Sequence, residues 1–369
     1  MKPTGILGRY LTKQILLNFL AVLLMVSGVI LMFEVIELLR RTADRPDVDF
    51  VFIIKMATSK LPRTFEMVFP FVMMIAAMVT FWKVSRSNEF IIIRAAGVSV
   101  WGFLTPVLLT VFAIGLFNIM VINPISSHLY EVHETLDYRF KTKNPQAVLF
   151  SSKGLWIREA VDEDTVLVLE AKSVQQKNAM LLLWQVTILE MGPQAQLLKR
   201  VEAYAGELYD HKINLKNVKV YTAGQPTQTY DSIDYETTLT ADRIKENFID
   251  PEAISFWNLP DTIRFYEASG FSALRHHMRY LSLWSSPFLL CAMVLVAAIF
   301  ALRANTRRGG VMSLIIGGIS TGFVLYFLSQ VIYAFGINGY IPATLAVWLP
   351  TLIVMMISVS VLLHTEEKS

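Results

Sequence analysis

The chain has 369 residues, of which 54% are hydrophobic and 17% are charged, and its net charge is +3. Soluble domains are typically about 45–50% apolar and about 25% charged, so this composition is that of a membrane protein. The sequence has no long basic run, which excludes the electrostatic footprint of a nucleic-acid-binding protein. Its single cysteine excludes a disulfide within the chain.

Six apolar stretches are long enough to cross a bilayer, which takes about 20 mainly apolar residues in a helix. Three of them precede residue 123 and three follow residue 280. The predicted spans run from Ile15 to Leu39, Phe65 to Trp82, Val100 to Ile122, Leu281 to Leu302, Val311 to Tyr333 and Thr344 to Leu363.

Between the third and fourth spans, from Ala147 to Thr238, the hydrophobic pattern has period two. Segments such as "TVLVLEAKSV" and "LLLWQVTILEM" alternate apolar and polar residues, as in an antiparallel sheet with one buried face. No helical crossover pattern separates these segments, so a water-soluble β-sandwich, jelly roll or open barrel is expected.

The predicted fold is therefore a membrane bundle of six transmembrane helices with an all-β domain inserted between helices 3 and 4. Residues 1–122 would hold helices 1–3, residues 123–273 the β domain with its connecting segments, and residues 274–369 helices 4–6. Cations concentrate at the N-terminus and in the loops after the second and fourth spans, which favours cytoplasmic termini. The loop after the first span also carries cations, but the bias puts the β domain on the outer side of the membrane, which is the periplasm in a double-membrane bacterium.

The segment "SRSNEFIIIRAAGVS", residues 85–99, predicts a short helix at about 85–98 on the cytoplasmic side. Ser85 or Ser87 can cap this helix, Glu89 suits the dipole of its first turn, and Gly97 suits its end. An apolar face of the helix could fit a groove on another protein. It could equally rest on lipid headgroups as an interfacial helix. That face comprises Phe90, Ile93 and Ala96.

Charged residues mark the end of the first span, "FEVIELLRR", where Glu34, Glu37, Arg40 and Arg41 lie near the outer leaflet. Ionisable groups in a span are costly and suggest a functional site. The alternative is that the arginines extend toward the headgroups and pair locally with Glu37.

The fifth span contains "GGISTG", in which Gly318 and Gly322 form a G-x-x-x-G motif with Ser313 and Gly317 nearby. Small residues at this spacing let helices approach closely, either at a special internal or intersubunit interface or in ordinary packing within one bundle.

A basic cluster, "RHHMR", precedes the fourth span and contains Arg275, His276, His277 and Arg279. Adjacent histidines on a helix point about 100° apart and no third ligand is near, so the cluster predicts no metal site. Contact with anionic headgroups explains it better. The sequence also lacks a phosphate-binding loop, a zinc-protease motif and a nucleophile elbow. We therefore expect no catalytic residue and no cofactor in this chain, and ATP with its magnesium would be bound by a separate subunit.

Several stretches together resemble the lipopolysaccharide export permeases LptF/LptG, also called YjgP/YjgQ. Residues 69–99 are similar to the second span and coupling segment of that family, and "IDPEAISFWNLP" (249–260) to its segment before the fourth span. "GYIPATLAVWLPTLIVMMISVSVLL" (339–363) is similar to its last span. The likeness covers nearly the whole chain. This ending and "SGFSALRHHMRYLSLWSSPFLLCAMVL" favour the LptG side, with LptF as the alternative.

The resemblance implies an inner-membrane ABC transporter permease that extracts lipopolysaccharide and passes it through a periplasmic β-jellyroll toward the outer membrane. Its partners would be an LptF-like second permease, an LptB-like ATPase dimer, an LptC-like single-span protein and an LptA-like bridge. Less favoured alternatives are another ABC-type lipid or lipoprotein export permease, a secondary transporter, and a membrane-anchored periplasmic scaffold.

The resemblance also implies roles for particular residues. Contact with the ATPase is expected for Arg86, Glu89, Phe90, Ile93, Arg94 and Gly97. Substrate contact is expected for Glu34, Arg40, Arg41, Arg139, Arg275 and Arg279. Relatives often carry a lysine where this chain has Glu34, and a carboxylate cannot contact a phosphate unless a divalent cation bridges the two or a cation on a partner helix pairs with it. The first and fifth spans of the family face its partners, which favours an interface role for Ser313, Gly317, Gly318 and Gly322.

Overall fold

A computed structural model gives the conformation of most of the chain. The residues that it does not describe are 1–3, 43–48, 142–146, 152–153, 161–165, 178–179, 193–195, 210, 223, 238–249, 269–270, 303–309 and 368–369. The chain divides into two compact units. The bundle unit comprises Met1–His133, Ser255–Trp257 and His277–Ser369, and the sheet unit comprises Glu134–Ile254 and Asn258–His276.

The described part of the bundle unit confirms the six predicted apolar helices, each long enough to cross a membrane. Some helices extend beyond the predicted spans, because helical turns with polar residues continue from the apolar part of the helix. The helices and helical turns are α1 (Thr4–Thr42), α2 (Phe50–Arg86), α3 (Glu89–Ala95), α4 (Val100–Phe117), a π-helical turn (Asn118–Ile122), α5 (Asn123–Lys141), a 3-10 turn (Pro251–Ala253), α6 (Leu259–Ala268), α7 (Leu274–Ala301), α8 (Gly310–Ile337) and α9 (Ala343–Glu367).

Two of these extensions matter for the site. The second helix begins at Phe50 rather than at Phe65, so its first turns carry polar residues into the bundle. The third span continues without a break through the π-helical turn into α5, which ends at Lys141. π-Helical turns are rare and shift the faces of the helix that follows, and they are frequent at functional sites.

Small residues let the helices of the bundle approach closely. A Cβ atom on Gly115 of α4 would lie 2.7 Å from the Cα atom of Pro287 of α7, so these two backbones are in direct contact. Alanines Ala292, Ala297 and Ala298 of α7 are fully buried in the same core. Such contacts replace the hydrophobic effect as the packing force between helices in a bilayer, because lipid tails are as apolar as the core.

The sheet unit holds a single antiparallel sheet with seven described strands, whose spatial order is the order of the chain. The predicted all-β insertion is confirmed, and its strand order is that of a meander. The strands are β1 (Ala147–Ser151), β2 (Gly154–Ala160), β3 (Val166–Lys177), β4 (Met180–Met191), β5 (Leu197–Tyr209), β6 (Lys212–Thr222) and β7 (Gln228–Glu236).

One row of residues across this sheet interrupts its regular pairing. Gln185 in β4 and Asn217 in β6 have positive φ angles of 51° and 53°, although they are not glycines. By register they flank Tyr204 of β5, and the row continues to Lys172 and Asp231 on the outer neighbours. Pairing is regular on both sides of this row, which we call the crease.

The crease changes which side chains face the core. In β4 the buried residues are Leu181 and Leu183 before Gln185, and Val186 and Ile188 after it. Alternation alone would keep odd-numbered residues on one face throughout the strand. The left-handed residue at the crease shifts that phase by one, and β5 and β6 shift at the same row. One apolar face is therefore kept on both halves of a bent sheet.

The two halves of the sheet fold toward each other across the crease. Lys199 pairs with Thr222, and Tyr235 pairs with Ile213, near the opposite end of β6. In a flat sheet these two pairs would lie about 30 Å apart. Nevertheless, Lys199 Nζ donates to the Tyr235 hydroxyl at 3.2 Å, and that hydroxyl donates to Glu190 Oε1 at 3.2 Å. Burial raises the pKa of Tyr235, so the hydroxyl keeps the proton that it donates.

We predict that Gln185→Val destabilises the sheet, since a β-branched side chain is strongly disfavoured at positive φ. The expected loss is about 1–2 kcal/mol of unfolding free energy. Gln185→Gly is the matched control and should be at least as stable as the original chain, because glycine adopts this conformation freely. Hydrogen exchange of strands β4 to β6 in the full chain measures the stability of the sheet in both variants. Equal protection in the two variants would contradict a strained crease.

Candidate functional site

The predicted coupling segment folds as the short helix α3 directly after α2. Asn88, in a left-handed conformation with φ 58°, occupies the cap position before the helix. The prediction that Ser85 or Ser87 caps the helix is therefore wrong. Ser87 instead donates to Glu89 Oε1 at 2.8 Å, and the Tyr10 hydroxyl of α1 hydrogen-bonds the same carboxylate. Gly97 has φ 81° and ends the segment. Glu89 is thus held in place by two elements of its own chain.

The apolar face predicted for docking points into the bundle. Phe90 is 9% exposed, and its ring packs edge-on against Phe103 of α4 at 5.4 Å. Ile93 contacts the same core cluster. These contacts anchor α3 to α4.

Two other isoleucines face outward from α3. Ile91 is 59% exposed and Ile92 is 66% exposed. Nearby, the Arg86 guanidinium lies 5.2 Å from the centre of the Trp82 ring, a cation–π distance, and Arg94 is half-buried. The segment therefore presents a small apolar surface next to fixed charges, formed by residues one position away from those that periodicity suggested.

The end of α1 carries a local charge network. Glu37 accepts from Arg41 Nε at 2.9 Å and pairs with Arg40 at 3.2 Å. Both arginine side chains are more than half exposed, at 79% and 52%. Exposed pairs of this kind are weak, so the guanidinium groups remain available to a stronger anionic ligand.

Glu34 forms an ion pair within the bundle. Both of its carboxylate oxygens accept from Lys60 Nζ of α2, at 2.8 and 2.9 Å. The Glu34 side chain is 19% exposed and lies beside an apolar cluster that includes Leu38 and Ile53. Its charge is therefore neutralised by a neighbouring helix of the same chain, which the sequence pattern did not reveal.

A more deeply buried carboxylate lies one turn further along α2. Glu66 is 4% exposed and accepts from Arg279 Nη2 of α7. Asn123 Nδ2, at the start of α5, donates to both of its oxygens at 3.0 and 3.3 Å. Arg63 Nη1 lies 3.6 Å from Glu66 Oε2. A buried charge persists only when it is paired and hydrogen-bonded in this way. We call these four residues the Glu66 cluster.

The remaining predicted substrate contacts have different surroundings. Arg279 is 9% exposed and bound to Glu66, whereas Arg275 is exposed in the sheet unit. Arg139 lies on α5, but its side chain is outside the described residues. Among the described side chains of the bundle unit, the predicted contacts fall into three separate groups: Arg40 and Arg41 with Glu37, Glu34 with Lys60, and Arg279 with Glu66.

The small residues of α8 pack against the chain itself. A Cβ atom on Gly318 would collide with Met78 of α2, and one on Gly322 would lie 2.5 Å from Met74 Cε. Gly317 approaches Phe300 of α7, with a distance of 3.2 Å from the position of its Cβ to Cε1. Ser313 also lies on α8, but its side chain is outside the described residues. These glycines let α8 rest on the methionines of α2.

Sequence reasoning missed Lys60, Arg63 and Glu66. The predicted second span starts at Phe65, which assigns the two cations to the loop before it. Glu66 lies inside that predicted span, and an ionisable residue in a span is a functional candidate by default. That signal was present in the sequence, but the partners on α5 and α7 come from distant parts of the chain.

Comparison with known proteins agrees with this architecture. The family model for "Lipopolysaccharide export system permease LptF/LptG" matches residues 9–364. Lipopolysaccharide export system permease protein LptG of Escherichia coli strain K12 is 23% identical, over 99% of this chain and 99% of that protein. The LptG protein of Haemophilus influenzae Rd is 22% identical, over 94% of this chain and 95% of that protein.

The match spans all six apolar helices and the inserted antiparallel sheet. Two architectural features, the interruption of the helices by a sheet and the short helix after α2, agree with the resemblance found in the sequence. The chain belongs to the lipopolysaccharide export system permease LptF/LptG family.

Proposed function

We propose that this chain is the LptG-type permease subunit of a lipopolysaccharide exporter in the bacterial inner membrane. The observation that carries the proposal is the family match over residues 9–364, covering both the bundle and the inserted sheet. The LptG names of relatives at 22–23% identity favour LptG over the LptF alternative. The chain would pair with an LptF-like permease and an LptC-like single-span protein, and would deliver lipid toward an LptA-like bridge.

The apolar interiors of the two units suit this task. Each CH₂ group moved from lipid to water costs about 0.8 kcal/mol, so a lipid with several acyl chains needs an apolar route. The folded sheet encloses many buried apolar side chains on both sides of its crease, for example Leu169, Leu183, Val201, Leu215 and Val220. We propose that the acyl chains of the lipid contact this apolar interior during transfer.

The outward faces of α1 and α8 suit partner helices. Phe33 of α1 is 63% exposed, and Phe323 and Phe327 of α8 are 61% and 58% exposed. The packing of Gly318 and Gly322 against α2 turns the larger residues of α8 outward. We propose that these faces contact the second permease and the LptC-like helix.

We assign ATP hydrolysis to a separate ATPase dimer, which α3 would contact on the cytoplasmic side. In this proposal Ile91 and Ile92 enter a groove on the ATPase, while Phe90 and Ile93 fix the helix to the bundle. Glu89 is prepositioned by Ser87 and Tyr10, which lowers the entropy lost on binding.

We predict that Ile91→Asp prevents co-purification of the ATPase, because it puts a charge at the centre of the apolar contact. An interface anchor contributes about 2 kcal/mol or more, so the affinity should fall at least about thirtyfold. Ile91→Leu is the matched control and should bind normally. Phe90→Ala should instead lower the thermal stability of the bundle, since it leaves a cavity in the core. Normal ATPase binding by Ile91→Asp would contradict docking through α3.

Arg40 and Arg41 are the preferred phosphate contacts of the lipid headgroup. They are exposed and pair with Glu37, whereas Arg279 is committed to the buried Glu66. Guanidinium groups bind phosphate through paired hydrogen bonds, which the weak local ion pairs would not prevent.

We predict that reversing both charges, Arg40→Glu with Arg41→Glu, reduces crosslinking of lipopolysaccharide to a photoreactive residue at position 33. The expected cause is loss of the phosphate contacts and repulsion of the headgroup. Glu37→Gln is the control, and it should leave crosslinking equal or higher because it frees the arginines. Unchanged crosslinking in the reversed variant would mean that the arginines serve only the local network.

The orientation of the chain is also a proposal, with both termini in the cytoplasm and the sheet in the periplasm. We predict that an impermeant maleimide labels Gln225→Cys, but not Ala95→Cys, in cells whose outer membrane is permeabilised. Both positions are exposed, and the native Cys291 is 7% exposed and can be replaced by alanine. Labelling of position 95 alone would contradict this orientation and the export route with it.

A further inference from the structure

The Glu66 cluster lies within the bundle unit and involves stretches that flank the sheet unit in the sequence. Three stretches of the bundle unit lead into the sheet unit: α5 up to His133, residues 255–257, and α7 from His277. We call them the three connectors. Each of them contributes a residue to the hydrogen bonds around Glu66, although they are far apart in the sequence.

The hydrogen bonds run through all three connectors in turn. Asn123 of α5 donates to Glu66, and its Oδ1 accepts the backbone N–H of Phe256 at 2.8 Å. Arg279 of α7 donates to the same carboxylate. Asn123 is 1% exposed and Phe256 is 7% exposed. Bonds in such a buried place restrain the groups that they join, because breaking one would leave a polar group buried and unpaired.

Aromatic contacts also join the three connectors. The Phe256 ring stacks on Tyr280 of α7 at 5.5 Å, with the planes 18° apart, and packs edge-on against Trp284 at 5.5 Å. Trp257 Nε1 donates to the carbonyl of Met120, in the π-helical turn just before Asn123, at 3.4 Å. The middle connector is thus fixed to the other two by both polar and apolar contacts.

Glu66 joins these connectors to the helix that leads to α3. Helix α2 has 37 residues, which corresponds to about 55 Å, and Glu89 follows its end after a short turn. Pro70 lies between Glu66 and that end, but it is buried in the bundle core, where close packing holds the helix geometry. The Asn18 side chain of α1 binds α2 along this stretch through Thr80 and Lys83, at 2.8 and 2.7 Å.

We propose that Glu66 is the residue through which α2 passes movement of the coupling segment to the three connectors of the sheet unit. Glu66 is in this sense a positioning residue, which touches neither ATP nor lipid. This inference rests on the proposed function, since it takes α3 as the contact with the ATPase. A carboxylate shared by Asn123 and Arg279 makes α2 and the connectors shift together, because separating them would leave charges buried and unpaired.

The test is hydrogen exchange of the full chain in its complex with the ATPase, with and without ATP. In the original complex, ATP should change exchange at residues 86–97 and in the connectors, at 118–126, 255–257 and 277–284. With Glu66→Gln the change at 86–97 should remain, while the change in the connectors should fall about tenfold or more. Lipid delivery to the sheet should fall with it, while ATP hydrolysis stays within about twofold.

Additional variants separate this role from a folding defect. Glu66→Gln with Arg279→Gln keeps the net charge of the cluster, and Asn123→Ala cuts the bond to Phe256 while leaving every charge in place. Both should lose the ATP-dependent change in the connectors. Thr12→Val removes the 3.0 Å hydrogen bond from α1 to Thr110 of α4, outside the cluster, and should keep that change.

The outcomes distinguish the inference from the function on which it rests. A change at 86–97 with none in the connectors of the original complex would overturn the inference alone. So would a normal connector response in both cluster variants. If ATP produced no change even at 86–97, the proposed coupling would be wrong and the inference would fall with it. Coupled movement without lipopolysaccharide transfer would support the role of Glu66 and contradict the proposal that lipopolysaccharide is the substrate.

Discussion

The bundle depends on one constraint, which is that a charged side chain is costly to bury where water is absent unless another group pairs with it. Several polar groups of its helices pair with a side chain of another helix. Glu34 binds Lys60 of the next helix, Asn18 binds Thr80 and Lys83, and Glu66 binds Asn123 of α5 and Arg279 of α7. Apolar packing in a bilayer gives helices little preference for one neighbour over another. These polar pairs therefore specify which faces of α1, α2, α5 and α7 meet.

The sheet solves a different problem, which is to surround an apolar interior with one continuous meander. A strand with strict alternation can bury only one phase of its sequence on a given face. Left-handed residues at Gln185 and Asn217 shift that phase in the middle of the strands, so each strand contributes apolar side chains to both halves. The contact of Lys199 with Tyr235 shows how far the halves fold together. A conformational cost at a few residues thus gives both halves of one sheet a shared apolar face.

These two solutions fit a protein that moves an amphiphile with energy from elsewhere. The exposed isoleucines of α3 offer a partner a small surface, while Phe90 ties that surface to the bundle. Along α2 the same helix meets the cluster from which the chain enters the sheet unit. In the proposed exporter, a movement at the C-terminal end of α2 would therefore reach the Glu66 cluster through this helix.

Sequence alone determined the six apolar helices, the antiparallel insertion and the short helix at residue 89, because periodicity and apolar length are local properties that folding must respect. It also pointed to the family, through stretches that keep their order along the whole chain. Only the tertiary structure decided that Phe90 faces inward and Ile91 outward, that Lys60 neutralises Glu34, and that Asn123, Phe256 and Arg279 meet around Glu66. Those outcomes depend on contacts between residues tens to hundreds of positions apart, and no local pattern encodes which distant partner satisfies a buried charge.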